Sequence, residues 1–136
     1  MIYAWSIEHS GETAAPAEAI WGLWADVPGW RDWNPDIERI EISGPFAPGT
    51  AFTMTPIGGD PVELRIAEAS EPRLFVDEAV LGDVVVRTEH RVERAGERNR
   101  VVYRMEISGP GAEEIGPQIS ADFPETIAAL IARAER

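Results

Sequence analysis

The sequence predicts an α+β fold: one strand, two short helices, an antiparallel meander of six strands and a long C-terminal helix. Three observations predict it. Residues 37–108 alternate between apolar and polar and are divided by five turn signals. Residues 113–136 carry Ile115, Ile119, Phe123, Ile127, Leu130 and Ile131 at helical spacing. Between the first strand and the meander lies a tryptophan-rich segment with a wide apolar stripe.

Residues 2–8 read as the first strand, with Tyr3, Trp5 and Ile7 on one face. Residues 11–16 read as a break, and Pro16 suits the first turn of a helix. That helix carries Ala17, Ile20, Trp21, Leu23, Trp24 and Val27 and ends at Pro28 and Gly29. Residues 30–36 form a short turn or helix holding Trp30, Trp33 and Asn34. Turn residues then delimit strands near 37–43, 50–56, 61–69, 74–81, 84–94 and 99–108. In the last helix Pro117 suits a first turn, and Pro124 falls inside the apolar pattern and predicts a kink. Alanines favour this helix, and Arg133 and Arg136 suit its negative end.

Charge pairing sets the register, because like charges directly opposite are unfavourable. Pairing Arg94 with Asn99 puts Glu89 opposite Arg104 and Arg87 opposite Glu106. The neighbouring hairpins place Glu78 opposite Arg87 and Arg65 opposite Glu78. One face is therefore charged and solvated. The other gathers Phe52, Met54, Val62, Leu64, Ile66, Phe75, Ala79, Val84, Val86, Val92, Val101, Met105 and Ile107, with four polar side chains among them. Asp77 falls opposite Thr88, and His90 falls between Phe75 and Tyr103.

Composition narrows the chemistry. The 136 residues fit a single domain, 1–136, with one core. No apolar run approaches the length of a membrane span, and residues 1–8 lack the pattern of a signal peptide, so a cytoplasmic protein is expected. Without cysteine there is no disulfide or thiolate nucleophile, and without lysine no Schiff base or phosphate-loop lysine. The net charge of −12 makes nucleic acid and anionic membranes poor partners. His9 and His90 are the only histidines and stand in no ligand-spaced cluster, so no metal or other cofactor is expected. A monomer and a homodimer both fit.

The order of elements resembles the START-like superfamily (SRPBCC, the helix-grip fold), and within it the polyketide cyclase/dehydrase-like branch. The residues that carry the resemblance are 15–21, the tryptophan-rich stretch 24–37, His90 to Glu93, residues 101–110 and the terminal helix. The resemblance implies a curved seven-stranded antiparallel sheet wrapped around the C-terminal helix. It also implies a cavity between them for a lipid, polyketide or aromatic ligand.

Within that expectation Asp77, His90 and Tyr103 are the candidate catalytic residues. Asp77 would orient His90 as base or acid while Tyr103 polarises a ligand carbonyl, as cyclisation and dehydration of a polyketide would require. The same groups also make sense as a satisfied polar network on a cavity floor. Trp30, Trp33, Asn34, Phe52, Met54, Leu64, Phe75, Thr88, Met105, Ile115, Ile119 and Phe123 are the candidate ligand contacts. Trp21 and Trp24 read as core. Ile115, Ile119 and Phe123 are expected to form cavity wall, and Ile127, Leu130 and Ile131 a packed anchor. Binding of a small hydrophobic molecule is the first functional reading and a cyclase or dehydratase the second. A co-chaperone-like interaction module is disfavoured, because the outer face shows no apolar patch.

Overall fold

Alternation and charge pairing together determine the sheet. In the computed structural model, which describes residues 4–136, the strands are β1 (Trp5–Thr13), β2 (Ile37–Ile42), β3 (Ala51–Pro56), β4 (Val62–Ser70), β5 (Leu74–Leu81), β6 (Val84–Ala95) and β7 (Arg98–Ser108). They form one antiparallel sheet in the order β1-β7-β6-β5-β4-β3-β2. The registers are those the charges require: Arg65 faces Glu78, Glu78 faces Arg87, Arg87 faces Glu106, and Glu89 faces Arg104. Irregularities at Ile37–Arg39 and Ile66–Glu68 add residues to one strand only, which bends it and helps the sheet curve. On the outer face the Arg91 guanidinium lies within ion-pair distance of Glu8, Glu89 and Glu93. Val76 and Val102 are buried on this face among the charged side chains.

The helical layer consists of α1 (Ala17–Ala25), a 3-10 turn (Val27–Asp32), α2 (Ala112–Ile119) and α3 (Phe123–Ala134). Helix α1 buries Ala17, Ile20, Trp21 and Trp24, and the turn buries Val27 and Trp30. Phe123, Ile127 and Leu130 are the buried face of α3. The curved sheet with the C-terminal helical segment against it is the helix-grip arrangement.

Boundaries differ from the sequence reading at the first helix, which ends at Ala25 and leaves Val27 to the 3-10 turn, and at the first strand. Met1 to Tyr3 lie outside the described residues, and β1 continues to Thr13 through the segment read as a break. Gly11 belongs to the strand because α3 crosses it closely: a Cβ at that position would lie 2.9 Å from Ile131 Cδ1 and 3.0 Å from Ile127 Cγ2. Thr13 then anchors the strand end, its hydroxyl donating to Glu135 at 2.6 Å and accepting from the Ala15 amide at 3.0 Å.

The C-terminal segment starts at Ala112 and is interrupted at residues 120–122. Pro124 causes the interruption. It has no N–H, and in a continuous helix its ring would collide with the Ser120 carbonyl four residues earlier. The break therefore precedes the proline by a turn, and Pro124 starts α3 instead of kinking it. Pro117 lies inside α2, not in its first turn.

Helix α2 is seated on β1 through Gly116, whose missing Cβ is the space taken by the Trp5 indole. Gly116→Ala should destabilise the fold by about 1–3 kcal/mol through this overlap. Helix propensity alone would favour alanine by about 1 kcal/mol. Urea denaturation of the two proteins decides which effect wins; a gain in stability would show that the contact is loose.

Candidate functional site

The inward-facing side chains of β3 to β7 do not meet the helices everywhere. A cavity of about 370 Å³ remains between the sheet, the 3-10 turn and the junction of α2 with α3. Its walls are apolar over most of their extent, with Phe52, Met54, Leu64, Phe75 and Met105 from the sheet. Trp30, Trp33 and Asn34 line it from the turn region, and Ile119 and Phe123 from the helices. Leu81 and Ile119 line the cavity and are 43% and 40% exposed, which marks its mouth. A second hollow, of about 420 Å³, lies between β1 and α3. It is a surface groove, because Ser10, Pro124, Ala128, Ala132 and Glu135 along it are all exposed.

Polar groups gather on one wall of the cavity. Asp77 faces Thr88, and His90 sits between Phe75 and Tyr103 as paired residues of adjacent strands. The His90 ring stacks on Phe75 with centroids 3.9 Å apart, and its Nδ1 lies 3.4 Å from the Phe75 carbonyl oxygen. A proton on Nδ1 satisfies that carbonyl and leaves the Nε2 lone pair facing Asp77 Oδ2 at 3.9 Å, beyond hydrogen-bond reach. Trp24 Nε1 donates to the Tyr103 hydroxyl at 3.1 Å, and Trp30 Nε1 donates to the Trp24 carbonyl at 3.0 Å.

Burial governs the ionisation of this wall. It lowers the His90 pKa to about 3, against a weaker opposing effect of the Phe75 carbonyl, so the imidazole is neutral at physiological pH. Burial also raises Asp77 to about 7, with repulsion from Glu78 adding to it. The Tyr103 hydroxyl is raised as well, chiefly by burial and partly opposed by the Trp24 hydrogen bond. The group that exchanges a proton near neutrality is Asp77.

Of the candidates read from sequence, Ile115 is the one absent from the cavity lining. The α2 turn that carries it packs toward β1 and β7, where Gly116 meets Trp5, and Ile115 packs against the core there. Ile119 and Phe123 do line the cavity, while Ile127, Leu130 and Ile131 lie outside it. Several lining residues were not among the candidates read from sequence, and Trp24, Asp122 and Thr126 are the informative ones. Helical spacing made Trp24 look like ordinary core, and its indole N–H reveals its other role only when Tyr103 is placed beside it. Asp122 and Thr126 enter the lining because the chain breaks there, which the periodic pattern conceals.

The sequence profile described as "Polyketide cyclase / dehydrase and lipid transport" matches residues 4–135. The chain belongs to this family. Curated protein sequences gave no match. Among solved structures, Ara h 8.0201 is similar at 16% identity and a TM-score of 0.78, over 96% of this chain and 97% of that one. A norcoclaurine synthase point mutant from Thalictrum flavum, in complex with a transition state analogue, is 21% identical with a TM-score of 0.76, over 96% and 93% of the two chains. The di-domain ARO/CYC StfQ from the steffimycin biosynthetic pathway is 12% identical with a TM-score of 0.79, over 96% of this chain and half of its own. At these identities the likeness is one of fold.

The shifted Asp77 has a consequence for stability. Its carboxyl holds a proton more tightly in the folded state, about 7, than at the ordinary value of 3.8, so its contribution is present at low pH and is lost as pH rises through 7. His90 acts in the opposite sense: its depressed value lowers stability as pH falls from 6.5 toward 3. Asp77→Asn should therefore raise stability at pH 8 by about 2–4 kcal/mol, with the gain vanishing toward pH 4. Urea titrations of both proteins across this range check it, and the shared His90 contribution cancels in the difference.

Proposed function

We propose that this chain binds a small hydrophobic molecule in the cavity, with the polar end of the ligand at Asp77, His90 and Tyr103. The observation that carries this reading is an apolar cavity of about 370 Å³ with its polar groups converging on one wall. The volume lies within the range of small-molecule sites, about 300–1,000 Å³. Family membership supports it, since cyclase and lipid-transport members share the description. Ala79 is buried and lines the cavity from β5, so Ala79→Trp projects an indole into the void. Native mass spectrometry should show a retained or added apolar molecule on the parent protein. Binding of the neutral dye Nile red should weaken at least tenfold in Ala79→Trp. Equal binding by a folded variant would place the dye elsewhere and count against the cavity.

One observation favours catalysis as the second reading: a cavity-lining carboxyl that titrates near 7 is poised for general acid–base work. In that reading Asp77, not His90, transfers the proton, because the imidazole stays neutral down to about pH 3. His90 and Tyr103 then hold the substrate's polar end. Polyketide cyclisation or dehydration is the reaction class the family description suggests. With a polyketide-type substrate, Asp77→Asn should abolish turnover while His90→Gln retains an unchanged acid limb in the pH–rate profile. An acid limb that moves in His90→Gln would return the proton-transfer role to His90.

A further inference from the structure

The carboxyl groups that line the cavity have no arginine beside them in the lining. Asp77 lines the polar wall and Asp122 lines the cavity at the α2–α3 junction, while none of the arginines does so among the described residues. Asp77 is only 6% exposed. No hydrogen bond to its carboxyl is formed by any described residue, and the closest nitrogen of an ionisable group is His90 Nε2 at 3.9 Å. Asp122 is half-buried. Burial, reinforced by Asp36 and Glu125, raises its pKa against the hydrogen bonds that its backbone and Thr126 provide.

The groups around Asp77 supply no positive charge. Glu78 follows it on β5, Thr88 and His90 face it from β6, Tyr103 lies beyond on β7, and Asp122 and Thr126 line the cavity from the helical side. A carboxylate so placed is stabilised by an opposite charge within about 4–6 Å. Aromatic rings also stand in this wall, Trp30 and Tyr103 among them, and a ring face attracts a cation through its quadrupole. An anionic ligand would meet two like charges here.

We propose that the ligand is a hydrophobic organic ammonium whose cation sits against Asp77 beside the aromatic rings, with Asp122 drawing it in. This deepens the cavity-binding function and rests on it. The ammonium supplies Asp77 with the hydrogen bond that no described residue gives it, while its apolar body fills the space among Phe52, Met54, Leu64 and Met105.

Three probes of one shape test it: naphthylmethylamine, naphthylmethanol and naphthoate, titrated calorimetrically into the intact protein at pH 8. The amine should bind at least tenfold more tightly than the alcohol, and the carboxylate weakest. Lowering the pH to 5 protonates Asp77 and should remove most of the amine's advantage. Asp77→Asn, checked for folding by circular dichroism, should bring the amine's affinity down to the alcohol's; Asp122→Asn should retain a preference for the amine. Amine and alcohol binding alike would overturn the ammonium proposal and leave cavity binding intact. An amine preference that survives in Asp77→Asn would overturn the placement at Asp77. Failure of all three probes would overturn both.

Discussion

The hydrogen bond from Trp24 Nε1 to the Tyr103 hydroxyl joins the two layers of this fold at the place where they must not collapse. Tyr103 stands on β7, between β1 and β6, and Trp24 is fully buried on the first helix. Edge-to-face contacts run outward from the pair, from Trp24 to Phe75 at 5.4 Å and from Tyr103 to Phe123 at 5.6 Å. Rings in such contacts have a favoured spacing as well as an attraction. The aromatic side chains hold helix and sheet together while keeping a defined distance between them. Smaller aliphatic side chains at the same positions would have no such directional preference and would pack into whatever space is left.

Strand alternation sorts charge as strictly as it sorts hydrophobicity. Arg65, Arg87, Arg100 and Arg104 of the meander fall on the outer phase, where glutamates on adjacent strands meet them. These exposed pairs contribute little stability individually, about 0–1 kcal/mol. Their value is in fixing register, and register decides which residues reach the interior. A slip of two residues at β6–β7 would set like charges face to face and separate His90 from Tyr103. The composition of the polar wall thus depends on ion pairs on the opposite side of the sheet.

Much of this was legible in the sequence because it follows from periods of two and of about 3.6 residues. The meander, the inward phase of each strand, and the grouping of Asp77, Thr88, His90 and Tyr103 all come from alternation and charge pairing. What was hidden depends on contacts between elements. Gly11 reads as a turn residue until α3 is laid over it, and Pro124 reads as a kink until its clash with the Ser120 carbonyl is placed in a chain that turns to avoid it. Ile115 shares the helical phase of Ile119, yet only Ile119 faces the void. Residue types alone could not divide the proton-transfer roles either, because burial reverses what aspartate and histidine ordinarily do near neutrality.

The interrupted C-terminal segment gives the cavity two walls with separate foundations. Helix α3 is laid along β1 over Gly11, whereas α2 meets the beginning of that strand where Gly116 lies against the Trp5 indole. Ile119 stands three residues beyond that contact, at the end of α2. The seat of the helix that carries Ile119 to the cavity mouth is therefore a residue of the sheet's edge strand that lies outside the cavity lining.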